Sequence, residues 1–312
     1  MIAYYTDRYV LPLPPGHRFP MEKYARLRRR VERELPLARL TEPAAASDAE
    51  LGRAHDPAYV RRASDGSLSA EEIRAIGFPW SPQMVERSRR SAGATLAACR
   101  AALREHVAVN LAGGTHHAHR NRGAGFCVFN DAAVAARGVQ AEGLAERVAV
   151  IDCDVHQGDG TAAIAAGDAT LFTLSLHGAK NFPFRKASSD LDVELPDGTG
   201  DADYLDALAD ALAALFRRFE PELAIYLAGA DPYAGDRLGR LALSKAGLAR
   251  RDRLVLDTCL SRGVPVALAM AGGYAEDIDD TVDIHFGTVS EACRAWARHA
   301  PGCLAVSLAT QP

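Results

Sequence analysis

The sequence predicts an α/β fold: a single domain over 1–312 in which a central, mostly parallel sheet is flanked by helices on both faces. Two observations carry that expectation. From about Arg147 onward, apolar runs at 148–155, 170–176, 222–229 and 264–273 read as buried strands, and they alternate with helical patterns at 202–219 and 243–262. In addition, four fragments rich in polar chemistry each follow an apolar run that ends in small residues, as loops at strand ends do. They are GGTHHAH at 113–119, DCDVHQGDG at 152–160, AGADPYAGD at 228–236 and AGGY at 271–274.

Taken in order, the first hundred residues are the least regular. Proline-rich turns at 11–20 and 77–82 suggest that 1–105 is partly irregular and supplies rim loops around a site. A strand at 106–114 then feeds directly into the paired histidines. The helix at 202–219 opens on an acidic turn, and the one at 243–262 is capped by Gly263.

Composition narrows the function classes. A length of 312 residues with 48% hydrophobic content permits one large, well-buried core. The formal net charge of -4, without a basic stripe, argues against direct nucleic-acid binding and toward a protein surface or a small molecule as partner. No run approaches the length of a membrane span, and the amino terminus lacks the basic and apolar regions of a leader, so a cytoplasmic protein is expected. Cys99, Cys127, Cys153, Cys259, Cys293 and Cys303 are scattered without paired C-x-x-C spacing and read as reduced, mostly buried thiols.

Asp152, Asp154 and His156 place potential ligands at every second position. On a strand these face one way, while Cys153 and Val155 turn into packing. An imidazole with carboxylates suits zinc or iron(II) with a position left open for water, and Asp231 is a further ligand from a distant strand end. Taken alone, the same fragment also reads as a helix cap, with Asp159 at the N-cap. His116 and His117 follow two glycines that allow a tight path, so both rings can reach one centre. Each needs an orienting carboxylate; Asp152 and Asp159 are available, leaving Asp154 for the metal. With His119 the pair also reads as a surface histidine cluster. Tyr274, after two glycines, either aims its hydroxyl at a developing oxyanion or anchors a turn.

These fragments, together with HDPAYV at 55–60, GAGFC at 123–127 and LSLH at 174–177, resemble the zinc-dependent histone deacetylase family, of the arginase/deacetylase fold. Gln157 and the stretch 235–252 resemble its class IV branch. The resemblance implies zinc on Asp154, His156 and Asp231. It implies His117, paired with Asp159, as general base and then acid, His116 with Asp152 as its electrostatic partner, and Tyr274 as oxyanion donor. Gly125, Phe126 and Phe182 would line a tunnel for the lysine stem, with Leu238 near its mouth. Asp152, Asp154, His156, Ser175 and Leu176 match a structural potassium site of that family.

The activity implied is removal of acetyl or longer fatty acyl groups from the Nε of lysine in proteins or peptides. Acetylated polyamines or other small amides are the alternative substrates, and a catalytically silent acyl-lysine binding module is a second alternative. The charged stretch after Phe182 reads either as a cover over the entrance or as a solvated loop.

Overall fold

The protein is described by a computed structural model, which covers residues 1–299. Cys303 lies outside them. The amino-terminal part carries β1 (Ile2–Tyr4), α1 (Glu22–Glu34), β2 (Arg39–Thr41), α2 (Asp48–Leu51), α3 (Pro57–Asp65), α4 (Ala70–Ile76) and α5 (Pro82–Glu105). There follow β3 (Val107–Asn110), α6 (Asp131–Ala141), β4 (Val148–Asp152), α7 (Asp159–Ala165), β5 (Leu171–Gly178) and β6 (Leu191–Leu195). The chain continues through α8 (Asp201–Arg218), β7 (Leu223–Leu227), α9 (Lys245–Leu260), β8 (Val266–Ala269) and α10 (Ile278–His299).

The strands form one sheet in the order β2-β1-β3-β8-β7-β4-β5-β6, and every pair is parallel. Alternation within each strand sends residues to two separate cores. Ala149, Ile151, Ala224 and Tyr226 join a cluster with α1, α8, α9 and α10, whereas Val148, Val150, Leu223 and Ile225 pack toward α5 and α6. Burial on both faces accounts for the near-continuous apolar strands.

Three expectations are corrected. The first hundred residues are mostly regular, holding five helices and two strands; α2, α3 and α4 are too short to show a long period, whereas the 24-residue α5 went unread. Ser47 and Ser69 close capping boxes, and Pro57 and Pro82 follow their capping residues at helix starts. The strands also stop earlier than the apolar runs: β4 ends at Asp152, β7 at Leu227 and β8 at Ala269. Asp154 and His156 therefore sit on a loop, although strand parity persists, because Cys153 and Val155 remain fully buried in the core. The third correction concerns the stretch after Phe182, which contains the edge strand β6 paired to β5. The expected cap by Gly263 is present: it is left-handed at φ +75°, its amide donates to the Leu260 carbonyl at 3.0 Å, and the Val264 amide donates to the Cys259 carbonyl at 3.1 Å, closing the end of α9. Among the described residues all five cysteines are free and buried, and no helix is long and apolar enough to cross a membrane.

His55, at the approach to α3, ties the amino-terminal helices to the functional loops. It is fully buried, with Nδ1 2.9 Å from the His119 carbonyl and Nε2 accepting the Asn130 amide at 2.9 Å. Asn130 in turn caps α6 through Ala133 and donates to the Ala118 carbonyl and the Thr161 hydroxyl. A neutral ring satisfies both contacts, and burial holds the His55 pKa down to about 4 from its ordinary 6.5. The unfolded chain therefore takes up this proton at higher pH than the folded one, so the stabilisation is complete above pH 6.5 and is lost as pH falls toward 4. Comparing wild type with His55→Gln by denaturant titration at each pH should show an acid-dependent loss smaller by about 3 kcal/mol in the variant. Identical pH slopes would contradict a neutral buried His55.

Candidate active site

The functional loops leave the carboxyl ends of β3, β8, β7 and β4, four neighbours in the sheet, and converge at one edge. Hydrogen bonds run from loop to loop. Asp154 accepts the Gly272 amide from the β8 loop at 2.7 Å, and Asp231 Oδ1 accepts the Val155 amide from the β4 loop at 2.9 Å. Asp236 accepts the amides of Tyr274, Leu238 and Gly239, which binds the tyrosine loop to the β7 loop.

Asp154, His156 and Asp231 bring one ligand atom each to within 4.8 Å of one another. His156 Nδ1 lies 2.9 Å from Asp154 Oδ1 and 3.3 Å from Asp231 Oδ2. Asp231 Oδ2 is buried and accepts no hydrogen bond. A side chain on Gly272 would overlap carboxylate oxygens of both aspartates, so glycine there leaves room for the cluster. Burial and the neighbouring Asp154 push the Asp231 carboxyl up to about 7. Burial opposes charge on His156 as well, but the two carboxylates outweigh it and lift the imidazole to about 10. One proton thus serves two buried anions. The donor set and the orphaned oxygen fit a divalent cation, which would supply the missing positive charge.

The two histidines are driven apart electrostatically. His116 Nδ1 lies 2.6 Å from Asp152, and His117 Nδ1 lies 2.7 Å from Asp159. Burial opposes charge on His116, yet Asp152 and Asp154 raise it to about 9. His117, also buried, is pushed down to about 4 by desolvation and by the charge on His116. Because Asp159 only accepts, it fixes the His117 proton on Nδ1 and leaves the Nε2 lone pair toward the cavity. Asp159 itself is the first residue of α7, whose N-cap is Gly158, so its side chain is free to serve His117 and His119.

A cavity of about 670 Å³ opens onto this centre. Gly125, Phe126, Phe182 and Leu238 all line it, along with His116, His117, Asp154, His156 and Tyr274. The Phe182 ring stands edge-on to His117 at 4.9 Å. Gly125 has φ +54°, and a Cβ there would press against the His117 ring at 2.6 Å. Tyr274 is buried against Phe126 and Phe19; burial and the two aspartates raise its pKa well above the usual range, so it stays a hydrogen-bond donor. Asp152 and Ser175 are register partners on β4 and β5, with Leu176 fully buried beside them and the Ser175 hydroxyl 2.9 Å from His177 Nδ1.

Sequence reasoning missed the residues that hold this arrangement. Asp131 accepts the Gly114 and Thr115 amides and the Thr95 and Thr115 hydroxyls, and so fixes the histidine turn. The only local signal was Asn-Asp ahead of an alanine run, which marks a helix start. Arg251, fully buried, donates to the carbonyls of Gly229 at 2.6 Å and Cys153 at 3.3 Å, bridging the two ligand loops, and pairs with Asp252. Nothing in the pattern of α9 distinguishes it from a surface arginine.

Residues 17–288 match the histone deacetylase domain. The chain is 45% identical over 91% of its length to an uncharacterized protein of Picosynechococcus, of which it covers 95%. It is 31% identical to a histone deacetylase-like amidohydrolase of Pseudomonas aeruginosa, over 85% of this chain and 74% of that one. The crystal structure of an HDAC homolog complexed with SAHA superposes with a TM-score of 0.80 at 25% identity, covering 96% of this chain and 84% of the homolog. The eight-stranded parallel sheet, the converging loops and these likenesses agree: this chain belongs to the histone deacetylase family.

Proposed function

We propose that the protein is a zinc-dependent amide hydrolase that removes acyl groups from the Nε of lysine in proteins or peptides. The observation that carries the reading is the convergence of a neutral histidine, an unionised tyrosine hydroxyl and a three-ligand cluster along one cavity. Asp154, His156 and Asp231 would hold the metal, zinc or iron(II), which when bound polarises a carbonyl and acidifies water. His117 Nε2 is placed to take the water proton and later return one to the departing amine. Asp159 holds that ring in the required tautomer. His116, kept cationic by Asp152, adds positive potential beside the reacting carbonyl. Tyr274 donates to the carbonyl oxygen as negative charge develops there. Gly125, Phe126, Phe182 and Leu238 exclude water from the methylene stem of the lysine. A structural potassium ion at Asp152, Asp154, His156, Ser175 and Leu176 belongs to the same proposal.

The mouth bears on substrate class. Lys180, Arg237 and Arg240 line the cavity, and Asp197 is shared by Lys180 and Arg240. A polyamine would bring several positive charges to a positive rim, whereas a lysine within a neutral or acidic peptide would not. Phe184, exposed beside Phe182, offers an apolar contact for the peptide backbone.

Three outcomes are expected. Asp231→Asn removes a ligand charge while keeping shape, so metal content after dialysis should fall well below wild type by elemental analysis; full occupancy would remove Asp231 from the ligand set. Tyr274→Phe should lower kcat by about 10²-fold or more at unchanged metal content, the typical worth of one oxyanion donor. Unchanged turnover would exclude the tyrosine. In a chelator-controlled assay, an acetyl-lysine peptide should be hydrolysed in preference to an acetylated polyamine; the reverse order would move the protein to small-amide chemistry.

A further inference from the structure

The same cavity is lined by Tyr24 of α1 and by Arg87 and Ser91 of α5, all buried where Phe184 is exposed, and by Gly113 and Gly114; these form its inner chamber. The hydrolytic steps use none of these side chains. Arg87 is 7% exposed, its Nε is buried without a hydrogen-bond partner, and it makes no ion pair among the described residues. Its guanidinium lies 4.6 Å from the centre of the Tyr24 ring and 5.8 Å from that of Phe19. The rings cover its faces and leave the N–H edge without an acceptor. Lys23, also buried, places Nζ 5.3 Å from the Tyr24 ring and 5.7 Å from the Phe19 ring, and it bonds only to the Ala271 and Gly273 carbonyls.

Two buried basic side chains therefore share the same pair of rings, and among the described residues neither pairs with a carboxylate. Arginine does not shed its proton to relieve this, so an isolated buried guanidinium is costly unless an anion reaches it. Ser91 follows Arg87 by one helical turn on the same face, and the Tyr24 phenol adds a second neutral donor. A planar carboxylate matches such a set of donors.

We propose that this inner chamber binds a carboxylate, and that the acyl group removed by the protein ends in one, as succinyl and glutaryl groups do. The proposal rests on the amide-hydrolase reading above and names its acyl class. Water adds across the amide: the acyl C–N bond breaks, a C–O bond forms, the two water protons end on the lysine nitrogen, which leaves as an ammonium, and a dicarboxylate is released. The distal carboxylate is chemically unchanged and acts as an anchor on Arg87. No co-reactant other than water is required.

The test compares one lysine peptide bearing acetyl, pentanoyl, succinyl or glutaryl, using zinc-loaded wild type, Arg87→Met and Arg87→Lys, with melting temperatures to confirm folding. Wild type should favour succinyl or glutaryl over neutral pentanoyl in kcat/KM by on the order of tenfold or more, as expected for a charged hydrogen-bonded pair. That ratio should collapse in Arg87→Met and survive in part in Arg87→Lys. If Arg87→Met does not fold, the same ratio in Arg87→Lys and Ser91→Ala decides. A wild-type preference for acetyl or pentanoyl, or a ratio indifferent to Arg87, overturns the proposal. Calorimetry with free glutarate and free acetate reads the chamber without turnover. Arg87-dependent binding of acetate but not glutarate would assign the chamber to a departing product and overturn the acyl-tail assignment. Absence of turnover on every peptide, with Arg87-dependent glutarate binding intact, would overturn the hydrolase reading while supporting the carboxylate chamber.

Discussion

Asp154 and Asp231 place two carboxylates side by side in a fully buried pocket, and much of the surrounding structure offsets the cost of that placement. Backbone amides from neighbouring loops reach each of them, and His156 is drawn between the pair. In a low-dielectric interior, two like charges without compensation would simply take up protons, as the raised Asp231 shows. Burial at the parallel strand ends is thus both the cost of the site and the source of its chemistry.

That arrangement depends on loops remaining in register over about the width of the sheet, and several buried polar residues do this work. Arg251 spans the β4 and β7 loops by donating to one carbonyl on each, while Asp252 gathers Tyr226 and Thr288. Asp131 closes the turn that carries His116 and His117, and His55 with Asn130 joins that turn to the amino-terminal helices. Each of these networks is internally hydrogen-bonded, so losing one member leaves buried partners unpaired rather than merely removing a contact. Asp236 plays the corresponding part for Tyr274.

The split between the two histidines follows from the same geometry. The rings are adjacent in sequence, 4.2 Å apart and equally buried, yet one faces Asp152 and Asp154 and the other Asp159. Charge on the first discourages charge on the second. A single histidine in this place would have to choose between holding a charge and accepting a proton; under the proposed mechanism the pair divides the tasks.

The chain's local pattern alone determined that strands and helices would alternate and that GGTHHAH, DCDVHQGDG, AGADPYAGD and AGGY would sit at strand ends. Hydrophobic periodicity and small-residue termini are read one element at a time, and they specify which residues can turn inward. The same reasoning left His116 and His117 open between a reacting centre and a surface cluster, because their partners, Asp152 and Asp159, lie 36 and 42 residues away. It read 1–105 as partly irregular: α2, α3 and α4 are too short to show a period, and the 24-residue α5 went unread. Arg251, Lys23 and Arg87 were invisible to it. A cationic side chain in a helix reads as solvated until packing removes the water, and only the tertiary structure decides which cations are buried and which anions, if any, they meet.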